Sequence, residues 1–145
     1  MPNVEEWGDK YLIGIEQLDE HHQHLFELLH ESYHMMVSKK CKNSEIERIL
    51  DSMSDYATYH ITTEEDWMRS LNYPKQDQHF IEHEKFINRV SDFNNEFKKG
   101  SDHLTLEIIS FLRGWFLNHI LTDDKDFGTF IKEGTKFCEV KTAKA

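Results

Sequence analysis

Polar side chains that can bind metal ions recur at helical spacing within the apolar stripes of this chain, and they restrict how it can fold. His60 and Glu64 are four residues apart, as are His79 and His83. Residues at i and i+4 lie one above the other on the same face of an α-helix. Each pair can therefore direct two ligand atoms toward one point, and several helices packed around that point would bury them.

Apolar residues repeat in steps of three and four along four long segments, which predicts four amphipathic helices. Only two prolines and six glycines occur among 145 residues, so few positions interrupt a helix. We expect helices at about residues 20–39, 44–71, 77–99 and 102–123, and a shorter last helix at about 124–132. The second inward stripe reads Ile46, Ile49, Met53, Tyr56, His60, Glu64, Trp67 and Leu71.

Local signals predict where the helices begin and end. Asp19 can cap the first helix by accepting backbone N–H bonds, and Ser44 with Glu47 has the spacing of a capping box. Pro74 ends the second helix because the residue before a proline leaves the α region. Gly100 is a favourable C-terminal stop for the third helix.

Short connections between the helices predict an all-α fold, an antiparallel up-down-up-down four-helix bundle. Before the bundle we expect an irregular N-terminal arm over residues 1–18. After it we expect the short C-terminal helix and a frayed tail over residues 135–145. A chain of this length is expected to form a single domain, residues 1–145.

The inward faces of the predicted helices carry polar residues that need a common explanation. They are His22, His60, Glu64, His79, His83 and His119, and His119 is followed by Asp123 and Asp124. A buried imidazole or carboxylate without a partner costs on the order of a few kcal/mol. One buried histidine is more often a hydrogen-bonded core residue, but a metal cluster accounts for all of these positions together.

The type and number of ligands indicate which metal would bind. Imidazole and carboxylate without thiolate suit iron, manganese or zinc. Seven ligands exceed the four of a tetrahedral zinc site, so the set predicts two ions that share carboxylates. Spacing leaves two positions open, His21 against His22 and Asp123 against Asp124. Apolar periodicity favours His22, whereas simple i+4 geometry from His119 would choose Asp123.

Four motifs follow one another over most of the chain, from Trp7 to about Ile131. They are Trp7-x3-Tyr11-x2-Gly14-Ile15-x3-Asp19-x2-His22, His60-Ile61-x2-Glu64-Glu65-x2-Met68, Tyr73-Pro74-x4-His79-x3-His83-x2-Phe86 and Trp115-x3-His119-Ile120-x3-Asp124. In these motifs the chain resembles the hemerythrin family, in particular its bacterial members. The family usually has Gln or Glu before its first histidine, where this chain has His21.

The resemblance implies a non-haem di-iron protein that binds dioxygen reversibly, for storage, transport or delivery. It assigns His79, His83 and His119 to one iron, His22 and His60 to the other, and Glu64 and Asp124 as bridges, with an oxo or hydroxo group as third bridge. The iron with two histidines would keep an open position for dioxygen. Asp123 would then be a surface or capping group. The resemblance also implies a water-excluding wall of Leu25, Phe26, Trp67, Phe86, Trp115 and Ile120.

Other functions are compatible with the same ligand set. The site could serve an oxygen or redox sensor acting through a partner, or a di-iron peroxidase, oxidase or nitric oxide-handling enzyme. We find no additional inward acid or base that would donate protons, which favours a non-enzymatic oxygen binder. An unidentified redox or delivery partner is compatible with this interpretation.

Charge and hydropathy exclude several other classes of function. The formal net charge is −10, and such an acidic surface repels phosphate backbones, so we expect no nucleic-acid partner. No apolar run approaches the roughly 18 residues of a membrane span, and the acidic N-terminus lacks the apolar region of a secretory signal. We therefore expect a cytoplasmic protein that does not bind membranes. Bacterial members of the family that the chain resembles can be monomeric, and no broad exposed apolar patch argues otherwise, so we also expect a monomer.

Overall fold

A computed structural model describes residues 12–38, 42–100 and 104–144, and all regular structure in these ranges is helical. The elements are α1 (Glu16–Ser38), α2 (Asn43–Tyr56), a first π-helical segment (Ala57–Ile61), α3 (Thr62–Ser70), α4 (Gln76–Lys98), α5 (Leu104–Trp115), a second π-helical segment (Phe116–Asp124) and α6 (Lys125–Lys144). The π segments join α2 to α3 and α5 to α6 without a break. The chain therefore forms four long bundle helices: α1, α2–α3, α4 and α5–α6.

The packing of these helices confirms the predicted four-helix bundle. α1 contacts α2 and α5, and α4 contacts α2, α3 and α5, so the four bundle helices enclose a common interior. The motif residues Trp7 and Tyr11 lie outside the described residues. In the described part of the chain, no helix has both the length and the apolar character that crossing a membrane would require.

The interior contains two apolar clusters. The large apolar cluster includes Leu25, Ile61, Phe86 and Ile120. The small apolar cluster comprises Ile13, Leu18, Met68, Tyr73 and Phe127, with Phe80 packed against it. Successive bundle helices run between them in alternating directions, as expected for up-down-up-down topology. The residues that mark the passage are Leu18 to Leu25, Ile61 to Met68, Phe80 to Phe86, and Ile120 to Phe127.

Two predicted helix caps are wrong. The first helix begins at Glu16, so Asp19 lies inside its first turn. Its carboxylate accepts backbone N–H bonds from Ile13 (2.8 Å) and Gly14 (3.1 Å), and so ties the segment before the helix to α1. Helix α2 begins one residue before Ser44, its cap is Lys42, and no side chain makes the capping bond.

The predicted stops of the second and third bundle helices are confirmed. Asn72 adopts a left-handed conformation (φ 53°) directly before Tyr73 and Pro74. The backbone N–H of Tyr73 then bonds to the carbonyl of Met68, as in a common helix-terminating turn. Gly100 also has positive φ (78°), a conformation that glycine adopts without a steric penalty.

The last bundle helix differs most from its predicted form. The sequence predicted a separate short helix that ends at Gly134, but α6 continues from the second π segment and extends to Lys144. A glycine inside a helix costs only about 1 kcal/mol, which does not by itself end a helix. The position of Asp124 in the bundle depends on this continuity.

The first π segment changes which residues face the interior in α3. The predicted stripe ended on Trp67 and Leu71, but Leu71 is 47% exposed and Met68 is fully buried. A π turn contains more residues than an α turn, so the residues that follow it are shifted around the helix axis. A stripe counted in α-helical steps therefore loses its register beyond the π segment.

Candidate metal centre

All seven residues predicted as metal ligands lie in one buried cluster between the two apolar clusters. None of them is more than 4% exposed. They divide into two groups whose nitrogen and oxygen atoms lie within 4.8 Å of one another. The three-histidine group contains His79, His83 and His119 with Glu64 and Asp124, and the two-histidine group contains His22 and His60 with the same two carboxylates.

Glu64 directs one carboxylate oxygen toward each group. Its Oε1 lies 2.6 Å from His79 Nε2 and 3.3 Å from His83 Nε2. Its Oε2 lies 3.1 Å from His60 Nε2. A carboxylate placed in this way can bridge two ions.

Asp124 divides its oxygens in the same manner. Its Oδ1 lies 2.9 Å from His79 Nε2 and 3.1 Å from His119 Nε2, and its Oδ2 lies 2.9 Å from His22 Nε2. The two shared carboxylates thus belong to different bundle helices and contact histidines of both groups.

The second π segment explains why Asp124, rather than Asp123, joins the cluster. A π-helix has i→i+5 hydrogen bonds, so His119 and Asp124, five residues apart, come to lie on one face. Asp123, four residues from His119, lies instead 3.2 Å from the outer nitrogen of that ring, Nδ1. The interpretation of Asp123 as a surface or capping group is incomplete, because its carboxylate lies beside the His119 ring.

The structure also distinguishes His22 from His21. His22 is completely buried, and its Nε2 lies 3.1 Å from His60 Nε2. His21 is only partly buried, and its Nδ1 lies 2.9 Å from the outer nitrogen of His60, Nδ1. Burial lowers the pKa of His21, with a further contribution from neighbouring His22, so the His21 ring favours the neutral form.

The residues that contact the outer nitrogens were not identified from the sequence. They are His21 behind His60, Glu65 behind His83 (2.9 Å) and Asp123 behind His119. Each lies directly beside a cluster residue in the sequence, as the doublets His21-His22, Glu64-Glu65 and Asp123-Asp124 show. These doublets were the sequence signal for the outer contacts. Of two adjacent residues on a helix, one can lie in the cluster while the other reaches the outer side of a histidine ring.

The inward atoms of the cluster fit a metal better than they fit one another. Both oxygens of Glu64 and Asp124 and the Nε2 atoms of His79, His83 and His119 lack a hydrogen-bond partner of acceptable geometry. Their short N···O separations therefore reflect atoms that converge on common points. Donor atoms about 2.1 Å from one ion, as imidazole nitrogens are, are separated from each other by about 3.0 to 3.4 Å, depending on the angle at the ion.

The protonation of the cluster indicates the charge it can accept. The neighbouring histidines keep the pKa of Glu64 and of Asp124 low, although burial and their mutual repulsion oppose this. Burial lowers the pKa of His60 to about 4. For His79 and His119 burial acts in the same direction, but the carboxylates outweigh it and raise the pKa to about 9 and about 10. Protonated His79 and His119 thus balance the buried negative charges of Glu64 and Asp124. Bound metal cations would replace these protons and balance the same charges.

Aromatic residues cover both groups. Trp115 stacks on His119 with 3.9 Å between ring centroids, and Tyr56 stacks on His60 at 4.7 Å. Trp115 Nε1–H donates to the Tyr56 hydroxyl (3.2 Å), which links the two rings. Of the residues expected to form the wall, Leu25, Phe26, Phe86, Trp115 and Ile120 are in the large apolar cluster. Trp67 is only partly buried and packs against the small cluster.

Comparison with known families agrees with this geometry. The family model described as the hemerythrin HHE cation binding domain matches residues 13–131, most of the chain. The chain belongs to the hemerythrin family. Cation binding is the property that names this domain, and the buried His/Glu/Asp cluster supplies the side chains for it.

Individual relatives in the hemerythrin family cover most of this chain and most of their own length. A bacteriohemerythrin of Clostridium acetobutylicum is 32% identical over 124 residues, which are 83% of this chain and 96% of that protein. One of Stenotrophomonas maltophilia is 31% identical over 87% of this chain and 80% of its own. A hemerythrin-like protein of Naegleria gruberi is 24% identical over 88% and 93%, respectively.

The adjacent pair Asp123 and Asp124 provides a test of the π-helical register. We expect Asp124→Asn to lower metal stoichiometry sharply, because it removes the charge of a carboxylate shared by both groups. Asp123→Asn should retain the metal with an affinity reduced by about 10- to 100-fold, as is typical when a residue that supports a ligand is lost. Metal titration of both variants measures the difference. Equal losses, or a greater loss for Asp123→Asn, would refute the assignment.

Proposed function

We propose that this hemerythrin-family protein holds two iron ions with an oxo or hydroxo bridge and binds dioxygen reversibly, for storage, transport or delivery. The observation that carries the proposal is the division of the cluster into two groups with two shared carboxylates. A donor set of imidazoles and carboxylates without thiolate suits iron.

The two groups differ in their number of donors. The three-histidine group has five residues, and the two-histidine group has four. His79, His83 and His119 would hold one iron, His22 and His60 the other, and Glu64 and Asp124 would bridge them. When bound, the irons would supply two electrons and, at the less saturated ion, a free coordination position for dioxygen.

The protein around the cluster would make such binding reversible by excluding water. Leu25, Phe86, Trp115 and Ile120 are almost completely buried beside it. The apolar residues that surround a metal site control solvent access and the local dielectric constant. Because water and its protons would be excluded, autoxidation, the irreversible oxidation of the irons by dioxygen, is expected to be slow.

The scarcity of further proton donors favours an oxygen binder over an enzyme. Within the described ranges, Ser32 is the one buried serine, histidine or charged residue outside the seven. Its hydroxyl donates to the carbonyl of Leu28 within its own helix. The hydroxyl of Tyr56, whose ring stacks on His60, is also buried, but burial raises its pKa well above the usual value, so it holds its proton.

Metal analysis combined with optical spectroscopy tests the proposal. Protein reconstituted with iron should contain two ions per chain, and its visible spectrum should change on exposure of the reduced form to air. Removal of oxygen should restore the reduced spectrum over repeated cycles. Folded protein that takes up no iron, a single irreversible oxidation, or rapid turnover of peroxide with an electron donor would each refute reversible oxygen binding.

A further inference from the structure

His21 occupies a defined position beside the two-histidine group. It precedes His22 on α1, and its ring meets that of His60 edge-on, with 5.1 Å between centroids and an interplanar angle of 85°. The two Nδ1 atoms are 2.9 Å apart, a hydrogen-bond distance. His21 and His60 also line a surface pocket of about 470 Å³ together with His24, Tyr56 and other residues of α1 and α2.

The direction of this hydrogen bond follows from the position of His60. Its Nε2 faces the cluster, 3.1 Å from Glu64 Oε2, so this nitrogen is the one available to a metal. A neutral imidazole that binds metal through Nε2 carries its proton on Nδ1. His60 therefore donates and His21 Nδ1 accepts, which leaves the proton of His21 on its own Nε2.

In the three-histidine group, carboxylates rather than a histidine lie behind two of the rings. The outer nitrogen of His83 contacts the carboxylate of Glu65, and that of His119 lies beside the carboxylate of Asp123. A carboxylate behind a metal-bound imidazole increases the basicity of the ring. A neutral imidazole acceptor increases the basicity of the ring less than a carboxylate does. We therefore expect His60 to donate less electron density to its ion than His83 and His119 donate to theirs.

We infer that His21 is a positioning residue for the two-histidine group, which fixes the tautomer and orientation of His60 through a neutral acceptor. This inference rests on the proposed metal centre and adds a difference between its two halves. By withholding negative charge from His60, His21 favours the lower oxidation state of the ion at which the proposed oxygen binding takes place.

Nuclear magnetic resonance of the imidazole N–H groups tests the hydrogen bond without iron chemistry. In protein loaded with zinc, which has no redox chemistry, the Nδ1–H of His60 should exchange slowly with solvent. His21→Ala should abolish this slow exchange, and His21→Gln should restore it through the amide oxygen. The matched control His24→Ala removes an exposed histidine of the same pocket and should leave the signal of His60 unchanged.

A charge change at the same position tests the electronic consequence. In iron-loaded protein, His21→Glu should lower the reduction potential and accelerate autoxidation, because a carboxylate behind His60 would increase the basicity of this ring. His21→Gln should stay near the original protein in both properties.

The inference is overturned if the Nδ1–H of His60 stays protected in His21→Ala, or if His21→Glu leaves the potential and autoxidation unchanged. Protein that passes the nuclear magnetic resonance test but never cycles with oxygen would refute the proposed function and leave the positioning role of His21 intact. The Nδ1–H of His83, which contacts Glu65, should also exchange slowly, and its signal would report in each variant whether the cluster is folded.

Discussion

Glu64→Ala is expected to reduce the metal content of the protein from the proposed two ions per chain to less than one. Glu64 is one of the two carboxylates that belong to both ligand groups. Its oxygens approach His60 on one side and His79 and His83 on the other. Its removal would therefore take a donor from each of the two proposed ions, together with a negative charge that would offset their positive charge.

The loss should be cooperative if, as proposed, each ion depends on the bridge to the other. Loss of a residue that merely supports a ligand lowers metal affinity by about 10- to 100-fold, and loss of a shared ligand should exceed this. Iron and zinc contents of purified variants, measured by elemental analysis against protein concentration, give the result. His60→Ala should also lower iron content sharply, and chiefly in the two-histidine group.

The matched control is Asp66→Ala, which removes an acidic side chain two residues away in the same helix. Asp66 is largely exposed and contacts Arg69 on the surface, so its loss should leave both ions in place. Two ions per chain in Glu64→Ala would show that Glu64 is not a ligand. Equal losses in the two variants would indicate a general effect of charge.

Removal of the metal is expected to lower the thermal unfolding temperature by on the order of 15 °C. An ion that binds only the folded state stabilises it by about 4 kcal/mol when its free concentration is 1,000 times the dissociation constant. For a domain of this size, 1 kcal/mol corresponds to roughly 4 °C. The metal-free cluster is poorly compensated, because the inward atoms of Glu64 and Asp124 lack well-formed hydrogen bonds.

Thermal unfolding followed by circular dichroism, before and after treatment with a chelator, measures this effect. Return of iron should restore the original unfolding temperature. The Glu64→Ala variant serves as the control, since a protein that binds little metal should not respond to the chelator. An unchanged unfolding temperature in the original protein would mean that the cluster does not couple metal binding to folding.

The sequence alone was sufficient for the helical bundle and for most of the candidate site. Apolar residues at steps of three and four define the inward faces, and His79 and His83 interrupt one of them at i+4 spacing. Such information is local, because one helical turn decides which side chains share a face. The helix stops before Pro74 and at Gly100 were equally readable, since the backbone preferences of proline and glycine are local as well.

The sequence was less informative wherever the helices depart from α-helical geometry. The two π segments moved Leu71 to the surface and brought Asp124 into the cluster. A π turn is rarely stable by itself, and tertiary packing decides whether it forms. Counting from His119 in α-helical steps therefore favoured Asp123, whereas the spacing of the family motif favoured Asp124, the residue that lies in the cluster.

What the sequence by itself determined is the set of helices, their buried faces and the donor types that they carry. The tertiary structure alone decided which atoms face one another: the division of Glu64 and Asp124 between two groups, and the contact between His21 and His60. The reason is physical. Spacing along a helix fixes the face of a residue, but distances between residues on different helices depend on how the whole bundle packs.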